Sequence, residues 1–166
     1  MNAIEAQWET LCEDPRFQDL PYKVETNRFQ QIIMSPASTW HSDFQGEIAY
    51  LLKSLLPHGR ILTEPGIQTS NGIKAPDVAW ISKDRFAPHR RASSLPLAPD
   101  ICVEIVTPSN SDPELLAKRR LYFERGASEV WLCDDQGNMT FYSDTSDSPM
   151  PTSPLCPNFP LTLPLD

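Results

Sequence analysis

Apolar residues recur along this chain with two distinct periods. From Ser38 to Leu56 the positions Phe44, Ile48, Leu51, Leu52 and Leu55 return at helical spacing. Ser38 or Thr39 caps that helix and Pro57 stops it. Before it, Tyr22 to Met34 holds two apolar-rich stretches that predict a β-hairpin broken near Asn27. After it come strand candidates at Arg60–Thr63 and Gly66–Thr69. The pair Asn71-Gly72 is a two-residue hairpin signal, and the chain returns from it as a strand from Ile73 to Ile81. Ile101–Val106 (ICVEIV) is nearly all apolar, as a central strand covered on both faces would be. A second helix is expected from Asp112 to Arg125, with Asp112 as cap, Pro113 in the first turn and Gly126 beyond its end. Val130–Cys133 and Met139–Tyr142 flank DDQGN as a second hairpin.

The remaining stretches lack such periods. Residues 1–20 read as an N-terminal extension of a short helix and a loop, with Trp8 and Leu11 as anchors. Lys83–Pro99 is rich in Arg, Ser and Pro and reads as a long exposed loop. Residues 148–166 form a Pro-rich segment that is neither helix nor central strand; it is expected to lie along the domain with Phe159, Leu161 and Leu163 tucked in. The whole, residues 1–166, is expected to be one α/β domain: a mixed α+β sheet flanked by helices.

Composition narrows the function classes. Hydrophobic residues make up 40% of the 166, enough for a core. No apolar run approaches the roughly 18 residues of a membrane span, and the acidic start lacks an apolar signal region. The reading is a soluble, cytoplasmic protein with no membrane partner. The formal charge of −8 argues against unspecific adhesion to nucleic acid but leaves room for a local basic groove. Cys12, Cys102, Cys133 and Cys156 form no CxxC pair and have no His at zinc-ligand spacing; Cys102 and Cys133 fit as small buried hydrophobes.

Two acids stand where charge is costly. Asp77 follows Pro76 at the head of VAWI, and Glu104 interrupts ICVEIV, 104 − 77 = 27 residues later. On neighbouring strands they would form half a cage for a hard cation such as Mg²⁺, which uses carboxylate oxygen and water. The alternative is structural: Asp77 caps a strand end and Glu104 pairs with a core Lys or Arg.

The pieces IIMSPAS…H, APDVAWI, PDICVEIVTPSNS, LLAKRRLYFERGASEVWLCD and the closing LTLPL, in this order and spacing, resemble the restriction-endonuclease family of the Uma-two type, a branch of the PD-(D/E)xK nuclease fold. The likeness runs from about Tyr22 to the end of the chain. It implies a restriction-endonuclease-like core with Pro76-Asp77 as the family's PD and Glu104 as its second metal-holding acid. The standard motif has a Lys two positions after that acid; here the position is Val106. The family shares this departure, and Lys118 on the following helix stands in as the catalytic lysine, against the alternative of a solvated basic helix face. Glu47, on the first long helix, is a candidate for the extra catalytic acid that many nucleases of this fold carry, or else a surface glutamate. His41 matches a family His, or is exposed or a helix cap. Tyr122, four residues from Lys118 on the same face, reads as packing.

Two positive clusters stand out: Arg85, His89, Arg90 and Arg91 in the long loop, and Lys118, Arg119, Arg120 and Arg125 on the second helix. Arg90, Arg91, Arg119 and Arg120 are candidates for holding DNA phosphates, or are ordinary solubility charge. The leading expectation is a Mg²⁺-dependent endonuclease (Mn²⁺ possible in its place) acting on DNA as a homodimer. Its rivals are a nuclease-fold binding or regulatory module that does not cut, and a metal-dependent enzyme acting on a small phosphoester.

Overall fold

The computed structural model describes residues 1–166. The long amphipathic helix forms as its periodicity requires, as α2 (Thr39–Leu55). Ser38 accepts the backbone N–H of His41 at its start, and Phe44, Ile48 and Leu52 are buried along one stripe. That stripe lies on a five-stranded sheet of order β3-β6-β7-β8-β9. The strands are β3 (Gly59–Thr63), β6 (Val78–Ser82), β7 (Ile101–Ile105), β8 (Glu129–Cys133) and β9 (Met139–Tyr142). All neighbours are antiparallel except β7 and β8, which run parallel because α4 (Asp112–Glu124) connects them across the sheet.

Strand periodicity sorts β7 between two layers. Ile101, Val103 and Ile105 join the main core with Phe44, Ile48, Leu52, Val78, Trp80, Trp131 and Phe141. Cys102 joins a smaller cluster with Ile67, Ala98, Tyr122, Ala127 and Val130. Glu104 shares the parity of Cys102 and therefore belongs to the α4 side of the sheet. All of β7 is buried, as a central strand demands.

The expected hairpin at Tyr22–Met34 is present as β1 (Tyr22–Thr26) paired with β2 (Ile32–Pro36). The hairpin expected at Asn71-Gly72, β4 (Ile67–Thr69) with β5 (Gly72–Lys74), turns at Ser70-Asn71 instead. Gly72 opens β5 at φ 86°, and a Cβ there would meet the Thr26 carbonyl O at 2.6 Å. The return strand is not continuous to Ile81. It breaks at Ala75-Pro76-Asp77, and β5 and β6 belong to different sheets. Proline there lacks the N–H a ladder needs, so β6 begins at Val78, and Asp77 keeps only one backbone bond, from the Glu64 N–H to its carbonyl, at the strand's head.

The segment Lys83–Pro99 departs from the expected exposed loop. It contains the short helix α3 (Lys83–Phe86), and its second half is inside, with Ser94, Leu95 and Ala98 buried. Leu95 bridges Ile67 of β4, and Arg85 holds the loop's ends together by pairing with Asp100 at 2.8 Å and donating to the Ala98 carbonyl. Helix α4 is capped by Ser111 rather than Asp112, in a reciprocal capping box with Glu114. Trp8 of α1 (Ala3–Glu13) anchors the N-terminal extension by donating to the Ser93 carbonyl. In the tail Phe159 and Leu163 are buried, but Leu161 is exposed. Glu129 fastens that tail, accepting from Ser153 Oγ at 2.6 Å and Leu155 N at 2.8 Å. Cys102, Cys133 and Cys156 are buried free thiols, and no helix is long and apolar enough to cross a membrane.

Candidate active site

The C-terminal end of β7 and the head of β6 open onto a cleft of about 830 Å³. Its walls come from β1, β2, the start of α2, the turn after β7 and the first half of α4. At its base lie three buried carboxylates: Glu25, Asp77 and Glu104.

Asp77 is held from every side. Its Oδ2 accepts the backbone N–H of Ile105 at 2.7 Å, fixing it to the end of β7. Its Oδ1 faces Lys23 Nζ at 3.1 Å and His41 Nε2 at 3.3 Å, and Gln45 donates to its carbonyl. Burial pushes the Asp77 carboxyl up, but the His41 hydrogen bond and the Lys23 charge outweigh it and bring its pKa down to about 2.

Glu104 projects toward α4. Tyr122 Oη donates to its Oε1 at 2.6 Å, and Lys118 Nζ lies 3.2 Å from the same oxygen. Lys118 and Tyr122 are four residues apart, so one face of α4 delivers both. The other oxygen, Oε2, faces Lys23 Nζ at 3.4 Å. Burial holds the Glu104 carboxyl above the usual range even against Lys118 and Lys23.

Glu25 completes the group from β1. It accepts the Ala75 backbone N–H at 2.7 Å and pairs with Lys118 at 3.1 Å. Burial acts to raise its pKa, yet Lys118 and Lys23 keep it below the carboxylate norm. The same acids raise Lys118 and Lys23 despite their burial. Lys74, buried at the cleft wall and donating to the Thr26 carbonyl, is instead lowered, because burial dominates there.

The structure thus unites Asp77, Glu104 and Lys118, and Lys118 reaches back to Glu104 as the sequence reading requires. Glu47 is not in this group. It has no ionic or hydrogen-bonding partner and does not line the cleft. Trp40 and His41, in the first turn of α2, line the cleft, and Glu47 lies well over a turn further along the helix, roughly 9 Å beyond His41 at about 1.5 Å per residue. The arginines also lie elsewhere. Arg119 stacks on the Tyr142 ring at 3.6 Å, Arg120 pairs with Asp147, and Arg90 sits over Phe86. None of these three, nor the exposed Arg91, lines the approach to the carboxylates. One helical step of about 100° from Lys118 is enough to carry Arg119 out of the site.

Sequence reasoning missed Lys23, Glu25 and Lys74 and undervalued Tyr122. The available signal was the K-V-E order in β1. Two charges at alternate positions share one strand face, and in a packed hairpin that face had to meet partners.

The donor set suits a hard cation. Asp77 Oδ1, Glu104 Oε2 and the Ala75 carbonyl O all converge on one positive charge, Lys23 Nζ, at 3.1, 3.4 and 2.9 Å. Carboxylate and carbonyl oxygens are the ligands that Mg²⁺ and Mn²⁺ take, usually with only one or two protein acids and the rest water. No cluster of three or more His, Cys, Asp or Glu side chains is close enough to hold a metal unaided.

The fold has a known counterpart. A crystal structure of "a putative nuclease belonging to DUF820" from Anabaena variabilis superposes with a TM-score of 0.69 at 21% identity, covering 92% of this chain and 93% of that one. It establishes the shared fold. No curated protein matches the chain. The sequence pattern of the Uma2 family, described as "Putative restriction endonuclease", matches residues 14–148, which take in Lys23, Glu25, Asp77, Glu104 and Lys118. The chain belongs to the Uma2 family.

Proposed function

We propose that this cleft hydrolyses phosphodiester bonds of DNA with Mg²⁺, or Mn²⁺ in its place, held by Asp77 and Glu104. The observation that carries this reading is the convergence of Asp77 Oδ1, Glu104 Oε2 and the Ala75 carbonyl on a single cation position at the base of an open cleft. When bound, such a cation supplies Lewis acidity toward a phosphoryl oxygen and toward water.

The chain's own groups do the rest. Lys118, fixed by Glu25 and Glu104, presents a positive charge to the pentavalent phosphorus as negative charge builds on its oxygens. Tyr122 holds Glu104 in one rotamer, and the Ile105 N–H and His41 do the same for Asp77. Thr107, Ser109 and Asn110, hydrogen-bonded among themselves, line the rim beside α4 and give flanking phosphates a neutral polar edge. A homodimer would set two such sites to cut both strands, an arrangement sedimentation would reveal.

Calorimetric titration of Mn²⁺ into wild type and the Asp77→Ala/Glu104→Ala double variant tests the site, with plasmid nicking as the activity readout. Binding and nicking that disappear together in the double variant support the proposal. A folded wild type that neither binds Mn²⁺ nor nicks DNA refutes it. Val106 in the usual lysine position favours a second reading, a nuclease-fold module that binds DNA without cutting it. That reading predicts DNA retention with no cleavage under any divalent cation.

A further inference from the structure

Lys23 is the residue the nuclease reading does not use, and its position is specific. Its ammonium sits between Asp77 Oδ1 and Glu104 Oε2 and also donates to the Ala75 carbonyl. These are the oxygens proposed above for the metal. Its side chain is only 11% exposed, so the ammonium is set into the base of the cleft rather than hanging over it.

We propose that Lys23 is a built-in competitor for the divalent cation, holding the carboxylates in register and leaving their oxygens when the metal enters. The inference rests on the metal-site reading and adds an order of events to it. One ammonium and one dication cannot share the same oxygens a few ångströms apart, because like charges at that spacing repel strongly in a buried site. The lysine is the mobile partner. Asp77 is tied to β7 through the Ile105 N–H and Glu104 is tied to α4 through Tyr122, whereas the Lys23 ammonium rides on a flexible four-carbon stem. Its strand belongs to the two-stranded β1–β2 sheet, outside the central one, and β2 is largely exposed.

The exit is open on the cleft side, since Lys23 itself lines the cleft. Once displaced, the ammonium remains tethered at the cleft wall, where an incoming phosphate oxygen is a suitable partner. Lys118 has no such role: it bridges Glu25 and Glu104 Oε1, away from the oxygens that face Asp77. The arrangement also explains how Asp77 and Glu104 stay side by side without a metal, because each has a lysine counter-charge within 3.4 Å.

Mn²⁺ calorimetry on metal-free wild type and Lys23→Gln tests the idea at neutral pH. Removing the competitor should tighten Mn²⁺ binding by roughly tenfold or more, the scale set by losing a buried charge from contested oxygens. Mn²⁺ should also raise the melting temperature of Lys23→Gln more than that of wild type. Equal or weaker binding by folded Lys23→Gln overturns the proposal while leaving the metal site intact. No binding by either protein overturns the metal site and this inference together. Should Lys23→Gln fail to fold, ¹⁵N spectra of the lysine ammonium groups in wild type decide the matter. The protected Lys23 resonance should shift or vanish on Mg²⁺ titration, and a resonance that stays fixed while Mg²⁺ binds overturns the proposal.

Discussion

Tyr122→Phe removes one oxygen and leaves the rest of the packing in place. Tyr122 is fully buried, and its hydroxyl gives Glu104 Oε1 a 2.6 Å hydrogen bond. A hydrogen bond to a charged group contributes about 1.5–3 kcal/mol. Two features of the site push the expected loss toward the lower end. Lys118 still lies 3.2 Å from the same oxygen, so the carboxylate is not orphaned. Lys23 also faces the other Glu104 oxygen at 3.4 Å, so the carboxylate keeps a second counter-charge. The expected destabilisation is about 1.5–2 kcal/mol, or roughly 3–8 °C in melting temperature for a chain of this size. Urea titration followed by tryptophan fluorescence would measure it, since Trp131 and Trp80 are buried; the m-value should not change. A double-mutant cycle with Glu104→Gln isolates the pair, and a coupling of about 1 kcal/mol is expected. A loss below about 0.5 kcal/mol, the same in the Glu104→Gln background, would refute the claim that Tyr122 holds Glu104.

Three further outcomes follow from the geometry. Glu47→Ala should leave nicking activity unchanged and stability within about 0.5 kcal/mol, while Glu25→Ala, which strips Lys118 of a buried partner, should cost about 3 kcal/mol and most of the activity; parallel stability and nicking measurements that rank the two the other way would restore Glu47 to the site. The Asp77 pKa falls from the ordinary 3.8 to about 2, so its ionised form contributes about 2 kcal/mol that is present above about pH 4 and lost as pH falls through about 2. Glu104, raised instead, has the opposite sign, and its ionisation cost is recovered on acidification. Melting curves of metal-free Asp77→Asn should therefore be flatter than wild type in that acid window, and parallel curves would contradict the assignment. Gly59→Ala would drive a Cβ into the Trp80 indole, whose Nε1 is fixed to the Leu56 carbonyl, and chemical denaturation should show a loss of about 1–3 kcal/mol.

What the sequence disclosed about the site depended on contrast. Glu104 stood out because its neighbours in ICVEIV are apolar, and Asp77 because it heads the apolar run VAWI. An acid in such surroundings must have a partner, and the structure supplies one for each. Lys23 and Glu25 were invisible by the same criterion, because a half-polar hairpin reads as solvent-facing until something covers it. The cover is the segment around Ala75, whose N–H binds Glu25 and whose carbonyl binds Lys23. That segment is the very stretch read as a continuous strand. Had it been one, the Ala75 backbone groups would have been spent on a ladder and the hairpin would have had none to dock on. The arginines failed for a related reason. Composition places Lys118, Arg119 and Arg120 together, but a helix separates consecutive residues by about 100°, so a run of three cations cannot face one cleft. Periodicity thus located the scaffold, from α2 to β7 and α4, because burial writes itself into residue spacing. The partners of Lys23 and Glu25 were set by which loop end meets which hairpin, and the alternation in β1 shows only that the two share a face, not what covers it.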